Sequence, residues 1–150
     1  MCETGNTLAP LALRVGLAVV FLFHGREKIN EATDWGRTWM NKLPNPPAAE
    51  VQQAVAWGEV AGGIAMSLGL LTRLAAVGLA AIMAGAIYLV HGKNGFSLAN
   101  GGYEYNFVLI TVCLALLFMG AGRLSLDAVL WRKRKPAAGA APAAPPPPAS

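Results

Sequence analysis

Long apolar stretches alternate with short polar segments along this chain of 150 residues. Four apolar runs cover residues 8–23, 54–71, 74–90 and 105–122. At about 1.5 Å per residue, helices of these lengths extend roughly 24 to 27 Å, slightly short of the ~30 Å hydrocarbon core of a bilayer. The runs show none of the period-two alternation that barrel strands require. The pattern therefore predicts an all-α protein with four membrane-spanning helices.

A soluble four-helix bundle is the alternative, and the distribution of charge argues against it. Each helix of a soluble bundle needs a polar stripe opposite its apolar face. The runs 74–90 and 105–122 contain no charged residue on any face. Only 13% of the whole chain is charged, against roughly 25% in a typical soluble domain. We therefore expect an integral membrane bundle with antiparallel neighbours.

The connections between the runs differ greatly in length. Only residues 72–73 separate the second and third runs, which predicts a tight antiparallel hairpin. The connection 24–53 contains Trp35 and Trp39, which favours the lipid–water boundary, and a short helix is expected near 32–42.

The chain divides into three parts around these runs. Residues 1–7 form a short leader without the basic residues of a signal peptide, and 8–127 form the transmembrane domain. Residues 128–150 are first basic and then rich in Ala and Pro, so we expect a disordered tail.

The count of Lys and Arg predicts the orientation in the membrane. With an even number of spans, both termini and the 72–73 turn share one face, which carries six basic residues: Arg73, Arg123, Arg132, Lys133, Arg134 and Lys135. The other face carries five: Arg26, Lys28, Arg37, Lys42 and Lys93. Because positive charge concentrates beside the last helix, we place both termini in the cytoplasm.

Small residues recur at the spacing that brings membrane helices together. Gly58 and Gly62 form one such pair, and Ala81 and Gly85 form another. We favour packing within one chain over dimerisation, although a homo-oligomer stays open.

Two charged residues lie inside the apolar runs, Arg14 in the first and Glu59 in the second. Charges at such depth face protein or water rather than lipid, so we expect these two residues to pair. The pair would then either fix the helix register or take part in a binding site. A snorkelling Arg14 is a further alternative.

Further polar residues collect at the predicted helix ends on the outer face. With the two buried charges they form a candidate site for a polar head group: Arg14, His24, Lys28, Glu59, His91, Glu104 and Tyr105. The same residues could relay protons or dock a partner. Each histidine could instead make a local hydrogen bond only.

Several chemistries are excluded by what the sequence lacks. Cys2 and Cys113 are far apart and form no CxxC motif, and there is no HExxH, EF-hand or phosphate-binding loop. We predict no metal site, no intrinsic cofactor and no nucleic-acid partner, with the lipid bilayer as the main partner.

One ordered set of motifs resembles the DoxX family of small bacterial four-helix membrane proteins, which is related to the DoxD subunit of thiosulfate:quinone oxidoreductase. The motifs are Arg14-x-Gly16, His24-Gly25-x-x-Lys28, Glu59 with Gly62 and Gly63, GLLTRLAA at 69–76, His91, Glu104 and GAGRLSLD at 120–127.

The resemblance implies a multi-pass protein of the bacterial inner membrane. It implies a redox-associated subunit in thiol or oxidative-stress metabolism, with quinone as the candidate cofactor and a dehydrogenase, sulfurtransferase or dismutase as the partner type. We expect the protein to be an accessory subunit of a membrane oxidoreductase rather than a self-sufficient enzyme. The alternatives are a non-catalytic scaffold or assembly factor, and a conductor of protons or a small solute.

Overall fold

The computed structural model describes residues 2–30 and 34–131, and the regular elements in these ranges are all helical. The helices are α1 (Cys2–Ile29), α2 (Ala49–Leu68), α3 (Thr72–Ala86), α4 (Glu104–Met119) and α5 (Leu126–Leu130). The predicted tail falls mostly on 132–150, which lies outside the described residues.

Two helical stretches are long and apolar enough to cross a membrane. They are Thr7–Ile29 within α1 and Thr72–Asn94, which extends α3 through a π-helical turn and a 3₁₀ turn. Helix α4 has no charged residue after Glu104 at its start, but it has only 16 residues. The described chain is therefore helical with two candidate membrane spans.

Neighbouring helices run in opposite directions and pack closely through glycine. A Cβ atom on Gly63 of α2 would lie 2.8 Å from Leu22 of α1, and one on Gly62 would lie 2.5 Å from Leu79 of α3. Helix α4 packs mainly on α3 and also contacts α1. These helices enclose an apolar core: Leu17, Ala18, Phe21, Met66, Ala76, Leu79, Met83, Leu109, Cys113 and Leu116.

One of the two small-residue pairs packs as expected within the chain. A Cβ atom on Gly58, like one on Gly62, would contact α3. The pair in α3 does not pack on another described helix, because Ala81 is exposed and no atom lies within 4 Å of a Cβ placed on Gly85. Both residues border a cavity instead.

The expected hairpin joins α2 to α3, but its turn comprises residues 69–71. Gly69 ends α2 with a left-handed conformation (φ +65°), and its N–H donates to the carbonyl of Met66. Leu71 is also left-handed (φ +49°), and α3 begins at the next residue. The turn thus lies directly before residues 72–73, which the hydropathy pattern had predicted as the connection.

The prediction of a short helix near 32–42 is wrong for residues 34–42, the part of this range that the structure describes. Residues 34–43 form successive turns, and Asp34, Trp35 and Gly36 have positive φ values of 49°, 59° and 88°. Right-handed helix is impossible at such angles. The segment is held by side-chain hydrogen bonds from α2, described below.

Candidate functional site

Polar side chains form two separate clusters at opposite ends of the packed helices. One surrounds Arg14, near the turn between α2 and α3. The other surrounds Lys28 and Glu59, near the two long connections that follow α1 and α3. The two clusters differ in what they can do.

Arg14 is buried on α1 and binds the backbone of the segment that follows α4. Its Nη1 donates to the carbonyl of Ala121 at 2.7 Å, and its Nη2 donates to the carbonyl of Leu124 at 2.9 Å. Buried guanidinium groups need such partners, because an unpaired buried charge is strongly destabilising. Arg14 therefore fastens the chain after α4 to α1.

Asp127 in α5 completes this fastening. Its carboxylate accepts hydrogen bonds from the backbone N–H groups of Leu71 at 2.7 Å and Thr72 at 2.9 Å. These groups have no intrahelical acceptor at the start of α3, where the helix dipole also favours negative charge. The N–H of Asp127 donates to the carbonyl of Gly69 at 2.9 Å. The hydrogen bonds of Arg14 and of Asp127 therefore give a structural role to the end of the molecule where α2 turns into α3.

The expected pair of Arg14 with Glu59 is not formed. Glu59 instead accepts a hydrogen bond from Lys28 Nζ at 2.5 Å. Arg14 and Lys28 share a face of α1, but fourteen residues separate them by about 21 Å along the axis. Since α1 and α2 are antiparallel, Glu59 lies level with Lys28, and Arg14 lies level with Gly69.

The Lys28–Glu59 pair is largely shielded from solvent. The side chain of Glu59 is 2% exposed and that of Lys28 is 19% exposed. The ring of Trp39 lies under the ammonium, with 5.0 Å between Nζ and the ring centroid. A cation this close to an indole face is attracted by the ring quadrupole.

Gln52, a residue that the sequence analysis missed, holds the connection between α1 and α2 in place. Its Oε1 accepts from the N–H of Met40 at 2.8 Å, and its Nε2 donates to Asn41 Oδ1 at 2.8 Å and to the Pro47 carbonyl at 2.9 Å. The backbone carbonyl of Gln52 accepts a hydrogen bond from Trp39 Nε1 at 3.0 Å. Gln52 thereby positions the Trp39 ring.

A cavity of about 600 Å³ lies beside the Lys28–Glu59 pair. Its wall is apolar for the most part and comes from α1, α2, α3, α4 and both long connections. Five of the seven predicted site residues line it: His24, Lys28, Glu59, His91 and Tyr105. Asn106 of α4, which the sequence analysis did not single out, also lines it.

The two histidines differ in their local bonding. His91 Nδ1 lies 2.8 Å from the Gly101 carbonyl, so this nitrogen donates a hydrogen bond and Nε2 is left for another partner. His24 Nδ1 lies 3.3 Å from Glu27 Oε2 on the same helix. The local hydrogen bond anticipated for each histidine is therefore present for His91, whereas for His24 the structure shows this contact with Glu27; both rings border the cavity.

Two predicted site residues lie outside the cavity lining. Arg14 belongs to the other end of the molecule, as described above. Glu104 begins α4 and turns toward the preceding loop, where its Oε2 accepts from the N–H of Leu98 at 3.0 Å. Glu104 therefore stabilises the loop that forms one edge of the cavity.

Comparison with known proteins identifies the family. The DoxX family model matches residues 9–92. The chain belongs to the DoxX family. This confirms the resemblance seen in the motifs, and the match includes His24, Lys28, Glu59 and His91.

Three relatives align with more than four fifths of this DoxX protein. An uncharacterized protein of Haemophilus influenzae is 31% identical over 130 residues, covering 84% of this chain and 85% of the relative. A second one from that organism is 34% identical over 125 residues, covering 81% and 90%. A Bacillus subtilis protein named "Putative oxidoreductase CatD" is 27% identical over 128 residues, covering 85% and 91%. No solved structure matches.

Proposed function

We propose that this DoxX protein binds the head group of a membrane quinone in the Lys28–Glu59 cavity, as a subunit of a membrane redox complex. The proposal includes an antiparallel four-helix bundle formed by α1 to α4 in the bacterial inner membrane, with both termini in the cytoplasm. The single observation that carries it is a buried ion pair at the side of a large apolar cavity.

Membrane insertion is supported by the apolar residues that the helices present outward. Val19, Leu74, Tyr88 and Phe118 are 65%, 66%, 88% and 77% exposed. Apolar surface of this extent is typical of a membrane or protein interface. Two helical stretches of suitable length and the family membership support the same proposal.

The residues around the cavity fit a quinone in size and polarity. Pockets for ligands of this size measure about 300–1,000 Å³ and combine apolar walls with a few polar groups. Here the polar groups include the ammonium of Lys28, the carboxylate of Glu59 and the imidazole of His91. The apolar wall suits the ring and the first part of an isoprenoid chain.

The polar groups can serve both protonation states of such a head group. A bound quinone would act as an acceptor of two electrons and two protons. The Lys28 ammonium can donate a hydrogen bond to a carbonyl oxygen. The Glu59 carboxylate can accept one from a hydroxyl and hold a proton at Oε2 after it releases Lys28. Burial of the pair keeps these bonds free of competition from bulk water.

The electrons would come from a partner protein. The partner types that the family resemblance implies are a dehydrogenase, a sulfurtransferase and a dismutase. The name of the Bacillus subtilis relative supports an oxidoreductase context. The protein would then be an accessory subunit that receives the head group beside an external redox centre.

Quinone titration of the purified full-length protein tests the proposal. Glu59→Gln removes the charged acceptor with little change in volume, and we expect about tenfold weaker binding. Glu50→Gln is the matched control, because Glu50 lies on the same helix, is exposed and pairs with Arg37 away from the cavity. Equal binding by the wild type and both variants, or no saturable binding by any, would contradict the proposal.

A scaffold or assembly function is the second candidate. It is favoured by the Arg14 cluster, whose hydrogen bonds all join distant parts of this chain. A scaffold predicts that loss of Arg14 lowers the amount of assembled partner complex. It also predicts that Glu59→Gln leaves the activity of that complex unchanged, whereas the quinone proposal predicts a loss.

A further inference from the structure

A second groove, of about 570 Å³, lies at the end of the molecule opposite the Lys28 cavity. The start of α3, the segment that follows α4, and α5 form its walls. Arg73, Gly120, Asp127 and Trp131 are among the residues that line it. None of them takes part in the proposed quinone site.

The groove presents one basic group that lacks an acidic partner. Arg73 is exposed, its Nη2 lies 3.5 Å from the Phe118 carbonyl, and it forms no ion pair with a carboxylate of the described residues. The nearby Asp127 carboxylate is already engaged by the backbone N–H groups of Leu71 and Thr72. The charge available to a ligand is therefore the positive charge of Arg73.

Apolar side chains continue the groove along the outer faces of α3 and α4. Leu74 follows Arg73 and is 66% exposed, and Phe118 is 77% exposed. Trp131 lines the groove and is 61% exposed. Tryptophan is enriched at membrane–water interfaces, so a ring at this end of the molecule suits the head-group level. A ligand with an anionic head and two apolar chains would match this arrangement.

The sequence continues after Trp131 with four basic residues. The four residues after Trp131 are Arg132, Lys133, Arg134 and Lys135, and the first is bonded directly to a residue of the groove. Basic clusters beside a membrane helix attract anionic lipids at about 1 kcal/mol per residue, which corresponds to about a fivefold change in affinity.

From this arrangement we infer that the groove binds an anionic phospholipid of the cytoplasmic leaflet. Arg73 contacts the phosphate, the acyl chains lie along Leu74 and Phe118, and Trp131 lies at the head-group level. The inference rests on the proposed membrane orientation but not on quinone binding.

Native mass spectrometry of the full-length protein, equilibrated with equal amounts of phosphatidylglycerol and phosphatidylcholine in mild detergent, tests the inference. We expect the wild type to retain more phosphatidylglycerol. Arg73→Gln should lower the ratio of the two retained lipids about fivefold, and Arg73→Lys should keep most of it. Arg37→Gln, at the other end of the molecule, is the control and should leave the ratio unchanged.

Two further measurements separate the groove from other sources of lipid retention. Replacement of all four basic residues at 132–135 by Gln should reduce the ratio without abolishing it. Excess glycerol 3-phosphate should displace no lipid, because the acyl chains contribute to binding. Displacement by glycerol phosphate, an unchanged ratio in Arg73→Gln, or complete loss from the tail replacement alone would overturn the inference.

The outcome is distinguishable from failure of the proposed function. Extraction of cell membranes with alkaline carbonate reports insertion of the same variants independently of lipid preference. A protein that inserts and binds quinone but retains both lipids equally contradicts only the lipid site.

Discussion

Lys28 of α1 and Glu59 of α2 form a buried ion pair at 2.5 Å, and no other pairing of these two helices places opposite charges in contact among the described residues. The pair lies where α1 ends and where α2 is halfway along its length. It therefore sets the register of the two helices and supplies the polar side of the cavity. These two roles can be separated by mutation.

Loss of one member of the pair is expected to be more harmful than loss of both. Lys28→Gln leaves the Glu59 carboxylate buried without its cation, which costs about 3–5 kcal/mol. The double variant Lys28→Gln/Glu59→Gln removes both charges and should recover most of this loss. Thermal unfolding in detergent of the wild type, the two single variants and the double variant completes a double-mutant cycle. Additive effects would show that the two charges do not interact.

Arg14→Ala is expected to reduce stability by about 3–5 kcal/mol. The change removes two charge-assisted hydrogen bonds to the carbonyls of Ala121 and Leu124 and leaves a cavity under α5. Asp127→Asn should cost only about 1 kcal/mol, because the amide oxygen can still accept one of the two N–H groups. Protein abundance in membranes and unfolding temperature measure both. Equal effects would contradict the assignment of Arg14 as the main fastening.

Gln52→Leu is expected to release the connection between α1 and α2. Three side-chain hydrogen bonds disappear, and the N–H of Met40 loses its acceptor. We expect limited proteolysis within residues 34–48 to be faster by about tenfold or more, which corresponds to a loss of at least 1.4 kcal/mol. Gln53→Leu is the matched control, because the neighbouring glutamine makes none of these bonds. Equal cleavage rates would contradict the role of Gln52.

The family and the helical class could be predicted from the sequence because both depend on local patterns. Charge-free runs of this length leave few alternatives to helices in a membrane, and the motifs from Arg14 to His91 lie within the residues that the DoxX family model matches. The heptad spacing of Gln52 and Glu59 was also readable and places both on one face of α2. It was missed because glutamine near a helix start is ordinarily exposed.

The partners of Arg14 and Glu104 could not be predicted in the same way. Arg14 binds carbonyl groups more than one hundred positions later, in a segment whose return to α1 depends on the turn after α4. Glu104 caps a loop that carries no periodic pattern. Sequence spacing indicates which side chains share a helix face, but it does not identify the backbone that another segment brings to that face.

The packing role of the small residues in α2 is testable with two glycines of opposite environment. A Cβ atom on Gly62 would lie 2.5 Å from Leu79, so Gly62→Ala must separate α2 from α3 or shift that side chain. We expect a loss of about 1–3 kcal/mol. No atom lies within 4 Å of a Cβ placed on Gly78 of α3, so Gly78→Ala should be neutral or stabilising by up to about 1 kcal/mol. Unfolding temperatures of the two variants in the same detergent measure the difference. If Gly78→Ala proved the more harmful, the outer face of α3 would pack against a second chain, and the dimer set aside above would be the better explanation.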